Sequence, residues 1–590
     1  MDFLEMYSPK YRTPSGTVKE GQNLHFEIEL QNADQLKLVC RSDDGEVSLD
    51  REMEHDGSRF FCDIVFQSKG LYYYSICDGK GCYLDYTSEG EPFLSEHPVN
   101  SQLLVISAAY VPARIYYGGI AYQIFPDRFA ITGKVEKLPG RVYHDDLSEI
   151  PEWRPDSKGK IRNNDFYGGN LKGIISKLPY LSSLGVTLIY LNPIFESNSN
   201  HRYDTADYFR IDPQLGSEQD FRELCIHAKQ YGIRIILDGV FSHTGDDSIY
   251  FNRYGNYPSV GAYQSMQSKY YEWYVFQKWP DRYDSWWGID TLPEVNEMNE
   301  SYVKFITGKD GVIEYWMKAG ASGLRLDVAD ELPDEFIVKI RDAVKRNDPD
   351  SILIGEVWED ASNKISYGKR RKYFWGDELD GCMNYPFKNA VLNFIRDPDA
   401  AAFAAEIESI CLHYPPEMLN SCLNMLSSHD TERAINALSA PITSSASREE
   451  KAARKLTKSE YLRGVEMLKL AYALMFFLPG IPMIYYGDEI GMQGYGDPFC
   501  RGFFLEETAD ENLKSAIQEI CEIRRGMAEV LSDGNLSFFR TDGKILGFYR
   551  ANDKGKIAFM LNRGDTPAVF NTDCGWECVE PWTYKVVRME

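Results

Sequence analysis

The chain has 590 residues, 43% apolar and 14% aromatic, and its 89 Asp and Glu outnumber 64 Lys and Arg for a net charge of −25. That length exceeds one core and predicts several domains, while the apolar content is that of a packed protein and not of a disordered chain. An acidic surface repels phosphate backbones and anionic lipid, so nucleic acid and membranes are poor partners, whereas a neutral polyhydroxyl ligand is not repelled.

From the N-terminus, Met1-Asp-Phe-Leu-Glu-Met-Tyr-Ser8 carries neither a basic nor an apolar leader segment. With twelve scattered Cys and no zinc-type spacing, the expectation is a reduced, cytoplasmic protein. Residues 1–110 read as a β-sandwich, with alternating runs such as Leu24–Leu30 and Phe60–Phe66 between Gly, Asp and Asn clusters. Residues 111–532 alternate strand-like and helical stretches. The strand candidates are Ala121–Phe125, Val186–Asn192, Ile233–Val240, Gly323–Val328, Ser351–Val357, Gly381–Asn384, Leu423–Ser428 and Ile481–Tyr486. Eight such units predict an α/β fold, a (β/α)8 TIM barrel. A doubly wound sheet fits less well, because Gln123-Ile-Phe-Pro-Asp127 stands where a glycine-rich phosphate loop would follow the first strand. After the third strand the helical pattern lapses over about residues 242–300, a stretch rich in Trp, Tyr and Asp, which predicts an inserted subdomain walling a cleft. Residues 533–590 return to alternation and predict a C-terminal β-sandwich.

The strand ends carry the chemistry. In such a barrel the C-terminal strand ends face the active site, and there lie Arg325-Leu-Asp327, Glu356-Val-Trp358, His429-Asp430 and Asp238-Gly-Val-Phe-Ser-His243. Arg325 and Asp327, two apart on one strand, share a face, so the guanidinium should lower the Asp327 pKa and keep an attacking carboxylate ionised. Glu356 follows Ile352-Leu-Ile-Gly355, an apolar setting expected to raise its pKa as a general acid requires. Asp430 would offset positive charge at an anomeric carbon, Asp238 would orient Arg325, and His243 and His429 would contact the substrate. Taken singly, each could be structural; three carboxylates from distant segments closing apolar strands point to one acidic site. Asp488 and Asp497 read as solvated loop acids ahead of cleft neighbours.

Together with Tyr122-Gln-Ile-Phe-Pro-Asp-Arg-Phe129, Phe166-Tyr-Gly-Gly-Asn-Leu-Lys-Gly173, His201-Arg-Tyr-Asp204, Met383-Asn-Tyr-Pro-Phe387 and Gly480–Gly491, these segments resemble glycoside hydrolase family 13, the α-amylase family. The resemblance is strongest to its neopullulanase, cyclomaltodextrinase and amylopullulanase branches. It implies a retaining hydrolase of α-1,4-glucosidic bonds, with some α-1,6 cleavage or transglycosylation, acting on malto-oligosaccharides, starch-derived glucans, pullulan or cyclodextrins. Asp327 would be the nucleophile, Glu356 the acid/base and Asp430 the transition-state stabiliser. Tyr203, Asp238, His243, Arg325 and His429 would hold the sugar, and Trp358 would border the leaving-group side or pack behind Glu356. The N-terminal module resembles a starch-binding-like domain through which relatives form a homodimer. Calcium stays possible but unassigned, because its usual ligands are not all present: Ser242 stands where the family has a calcium-associated Asn, and Ala130–Lys134 lacks an Asn/Asp cluster, while calcium takes roughly six to eight oxygen ligands. No cofactor is required by this reading. Its alternatives are a transglycosylase or phosphorylase on the same fold, and a non-catalytic glucan-binding scaffold.

Overall fold

A computed structural model describes residues 3–589 apart from Asn32, Lys158 and Ser444, with the Phe3 side chain also outside the description; Met1, Asp2 and Glu590, the ends of the terminal modules read above, lie outside it too. All eight predicted strands form. They are β1 (Ala121–Ile124), β2 (Leu188–Leu191), β3 (Arg234–Gly239), β4 (Gly323–Leu326), β5 (Ile352–Gly355), β6 (Gly381–Cys382), β7 (Leu423–Asn424) and β8 (Ile481–Tyr485). They pair in parallel in the order β6-β5-β4-β3-β2-β1-β8-β7, and a parallel bridge from Met383 to Leu423 closes the ring. Runs such as Leu188-Ile-Tyr-Leu191 are buried at every position, because a barrel strand faces packed side chains inside and helices outside.

Local chemistry sets the helix starts. Helix α1 (Leu171–Ser183) is capped by the Asn170 side chain, which accepts from the Gly173 amide at 2.7 Å, satisfying a donor that the helix leaves open. Gly169 and Gly173 let that start press onto the loop after β1: a β-carbon would come within 2.2 Å of the Pro126 carbonyl oxygen and 2.0 Å of that of Ala130. Helix α2 (Glu218–Gln230) opens with a reciprocal Ser217–Asp220 capping box.

One crossover departs from the regular pattern. Between β5 and β6 there is no helix; residues 356–380 hold only a short hairpin, Ile365–Ser366 with Lys369–Arg370. The N-terminal sheets occupy that side. Gln102 bonds Ser362 and Asn363 (both 2.8 Å), Tyr110 donates to Asp380, Arg370 forks onto Asp43, and the Ser107 amide donates to the Trp375 carbonyl. Leu104, Ile106 and Tyr110 accordingly belong to the barrel's own hydrophobic core. The N-terminal strands form four- and seven-stranded sheets over a separate core (Leu24, Phe26, Phe60, Tyr74). Beyond the barrel, residues 535–589 form a four-stranded and a two-stranded sheet. No helix among the described residues is long and apolar enough to cross a membrane.

Candidate active site

The four acidic strand ends converge. A cleft of about 1140 Å³ at the C-terminal face is lined by Tyr203, His243, Asp327, Glu356, Trp358, His429 and Asp430. Asp238 and Arg325 sit just beneath them, buried. Arg325 is the hub. Its Nη1 donates to Asp327 Oδ1 and to Asp238 Oδ1, each at 2.7 Å. Its Nη2 lies 2.8 Å from Glu356 Oε2, close as charges but without hydrogen-bond alignment. One fully buried guanidinium thus serves three carboxyls from three strands, a geometry its planar fork allows and a lysine would not.

Asp238 is further saturated by hydroxyls, accepting from Tyr190 at 2.6 Å and Tyr203 at 2.9 Å. Tyr203 in turn meets His429 Nε2, and Gln123 Nε2, 2.9 Å from His429 Nδ1, faces the other ring nitrogen. With the amide donating, Nδ1 is the acceptor and Nε2 carries the proton. That is the neutral ring, in line with a His429 pKa held well below its ordinary value by burial and by the nearby Arg501 and Arg325. The two rings are also parallel, 5.5 Å apart at 7°. His243 is neutral for the same reason, pushed down to about 4 by burial. Its Nδ1 engages Ser242 Oγ at 2.9 Å, and its buried Nε2 has no partner among the described residues.

The expected electrostatics of Asp327 are reversed. Burial raises its carboxyl well above the ordinary range, and neighbouring Glu356 and Asp238 add to the rise, outweighing the opposing pull of Arg325. The strand sequence displays the Arg partner but conceals how many acids share it. Glu356 likewise has more polar surroundings than its apolar flank suggests: it accepts from the Val328 amide (2.9 Å) and from Trp358 Nε1 (3.1 Å) besides meeting Arg325. Burial and Glu356 push Asp430 up to about 7, against Arg501 and Arg325. Burial thus biases Asp327, Asp238 and Asp430 toward the protonated form, against the guanidinia beside them.

Trp358 is not packed behind Glu356: it is 45% exposed, lies over Tyr385 at 4.0 Å and 16°, and borders the cleft. Asp488 is not a solvated loop acid but is buried against Arg433 at 2.8 Å. Asp497 does reach the cleft, paired with Arg501 at 2.7 Å. Sequence reasoning missed Arg501, which reaches Asp430 Oδ1 at 3.3 Å and donates to the His429 carbonyl at 2.8 Å, and it missed Gln123, Tyr190 and Asn192 behind the ring. It also missed a second wall after β1, residues 139–141, 156 and 160–164, which lines the cleft together with Trp286, Trp287, Ile289, Thr291 and Leu292 after β3. An aromatic or Asn cluster in the Lys134–Asn164 excursion was the available signal.

The donors do not suit a hard cation. Ser242 Oγ is committed to His243, and Asp127 accepts from the amides of Tyr167 and Gly168 and from Gln214 while pairing with Arg128. Among the described residues no cluster of three or more His, Cys, Asp or Glu could hold a metal ion.

Residues 123–529 match the family model for the α-amylase catalytic domain. The chain belongs to the α-amylase family. An amylopullulanase of Thermoanaerobacter thermohydrosulfuricus is 34% identical across 96% of this chain and 41% of its own length, and neopullulanase 2 of Thermoactinomyces vulgaris is 34% identical across 76% and 70%. The chain spans less than half the length of the amylopullulanases it matches. Among solved structures, the type III pullulan hydrolase from Thermococcus kodakarensis superposes with a TM-score of 0.69 at 25% identity, covering 99% of both chains. The Arg325 hub thus lies at the C-terminal strand ends of the barrel, the face where active sites of this fold are built.

Proposed function

We propose that this α-amylase-family chain is a retaining glycosidase that hydrolyses α-1,4-glucosidic bonds in malto-oligosaccharides and related glucans. The observation that carries the reading is the single guanidinium of Arg325 touching Asp238, Asp327 and Glu356 inside a solvent-reachable cleft. A double displacement needs one carboxyl ionised and one protonated at the same time. Arg325 favours charge on Asp327, to which Nη1 is hydrogen-bonded, when a proton resides on Glu356. Asp327 then attacks the anomeric carbon while Glu356 gives its proton to the leaving oxygen. The deprotonated Glu356 next takes a proton from water, which displaces Asp327 from the glucosyl ester. Asp430, with Arg501 behind it, stabilises the developing oxocarbenium charge, His243 Nε2 and His429 contact hydroxyls, and Tyr203 and Trp358 flank the sugars. Relatives named neopullulanase, cyclomaltodextrinase and amylopullulanase support the substrate class.

The steps as written call on no metal. The N-terminal module is a candidate dimer surface, to be tested by light scattering of the purified chain. Twelve unpaired cysteines and a similar Bacillus subtilis protein named intracellular maltogenic amylase favour the cytoplasm. The decisive assay is side-by-side product analysis on starch, pullulan and β-cyclodextrin. Panose from pullulan means α-1,4 attack and maltotriose means α-1,6. Product formation that requires phosphate or an acceptor sugar identifies the phosphorylase or transferase alternative, and binding without any product identifies the scaffold.

A further inference from the structure

Two of the most exposed aromatic side chains sit in backbone that disfavours them. Trp287 (77% exposed) has φ +51° and is followed by Gly288 at +75°; Tyr367 (74% exposed) has φ +49° and is followed by Gly368 at +75°. Left-handed positions of this kind suit Gly, Asn or Asp, and a bulky aromatic there is an outlier. Burial does not compensate, since both rings face solvent. What they share is a partner: Trp287 Nε1 and Tyr367 OH both donate to Glu331 Oε1, at 2.8 and 3.1 Å. The three residues come from three different loops, after β3, β5 and β4, and of them Trp287 lines the cleft.

The arrangement is continuous with the acid cluster. The His243 ring lies 5.5 Å from Trp286, and Trp286 stacks on Trp287 at 5.2 Å and 16°. Both tryptophans line the cleft that holds Asp327 and Glu356. Tyr367 belongs to the same loop as Trp358, whose indole bonds Glu356, the group that protonates the leaving oxygen. We propose that Trp287 and Tyr367, held by Glu331, form a remote glucosyl-binding platform on the leaving-group side. It would take sugar rings of a glucan chain several units from the scissile bond, by stacking of their C–H faces on the exposed rings. Trp287 and Tyr367 contact the ligand; Glu331 is a positioning residue. This platform rests on the glycosidase reading only for the identity of its ligand.

The test uses Trp287→Asn and Tyr367→Asn, which remove the rings while keeping a residue that tolerates left-handed backbone. The ratio of kcat/KM for maltoheptaose over maltotriose should fall about five- to tenfold in each, the size of one stacked ring's contribution, through KM and not kcat. Glu331→Ala should lower the ratio in the same way, through KM. On a Glu356→Gln background, calorimetric titration should show maltoheptaose binding weakened by a similar factor and maltotriose binding unaltered by the ring deletions. An unchanged ratio together with unchanged maltoheptaose affinity overturns the platform, as does an equal loss for both sugars. Maltoheptaose binding that depends on Trp287 in a chain without hydrolytic activity would refute the glycosidase reading and leave the platform standing.

Discussion

Replacing Arg325 with Met separates the role of charge from that of shape. The side chain is fully buried and touches three carboxyls at 2.7–2.8 Å, so the variant leaves Asp238, Asp327 and Glu356 facing one another without a cation. Breaking a buried ion pair in this way costs about 3–5 kcal/mol. The cost depends on pH with a definite sign. Carboxyls whose folded pKa rises above the unfolded value bind protons more tightly when folded, so acid favours the folded variant and stability is lost as pH climbs above the unfolded pKa of about 4. The deficit against wild type should therefore be largest at pH 7.5 and shrink toward pH 5. Urea unfolding at the two pH values measures it, and kcat should fall by at least about a thousandfold once Asp327 cannot hold charge, since 4 kcal/mol at the transition state is nearly three powers of ten. Arg325→Lys keeps one charge but cannot fork, and should recover stability more than turnover. A deficit independent of pH, or a Met variant that still turns over freely, would refute the hub.

Asp327→Asn and Glu356→Gln should each cut turnover by several orders of magnitude with a native far-ultraviolet spectrum, because the proposed double displacement puts both on the reacting atoms; unaltered activity in either removes its role. His413, between Asp360 (2.6 Å) and Glu5 and joining the N-terminal helix to the barrel, is drawn down by burial, but bonds to both carboxylates prevail and raise it to about 9. Its stabilising contribution is then full below pH 6.5 and lost as pH rises through 9, worth about 3 kcal/mol. His413→Asn should flatten the wild-type decline in unfolding free energy over that window, and a parallel decline would count against it. Dialysis against EDTA should leave both activity and melting temperature unchanged, since Ser242 and Asp127 have their donors and acceptors committed elsewhere; loss restored by calcium would contradict that.

Much of this fold was legible because its signals are local. Each barrel strand is a short apolar run, and Asp327, Glu356 and Asp430 stand at the ends of such runs, where the barrel's geometry makes them neighbours. What could not be read depends on single side chains meeting across long separations. Arg501 finds Asp430 from 71 positions away and Gln123 finds His429 across 306, with no periodicity to announce either. The direction of the Asp327 pKa shift was misread for the same reason, since its flank shows Arg325 but neither the depth of burial nor the other acids competing for it. The missing helix between β5 and β6 leaves no apolar signature either, because the N-terminal sheet supplies the cover through Gln102, Ser107 and Tyr110.

The most direct measurement is covalent trapping with a slow fluorinated glucosyl fluoride, followed by mass spectrometry of the digested protein. A single glucosyl ester on Asp327, absent from Asp327→Asn and accumulating further in Glu356→Gln, is expected. Label on another carboxyl, or hydrolysis that inverts the anomeric configuration without any adduct, would contradict attack by Asp327.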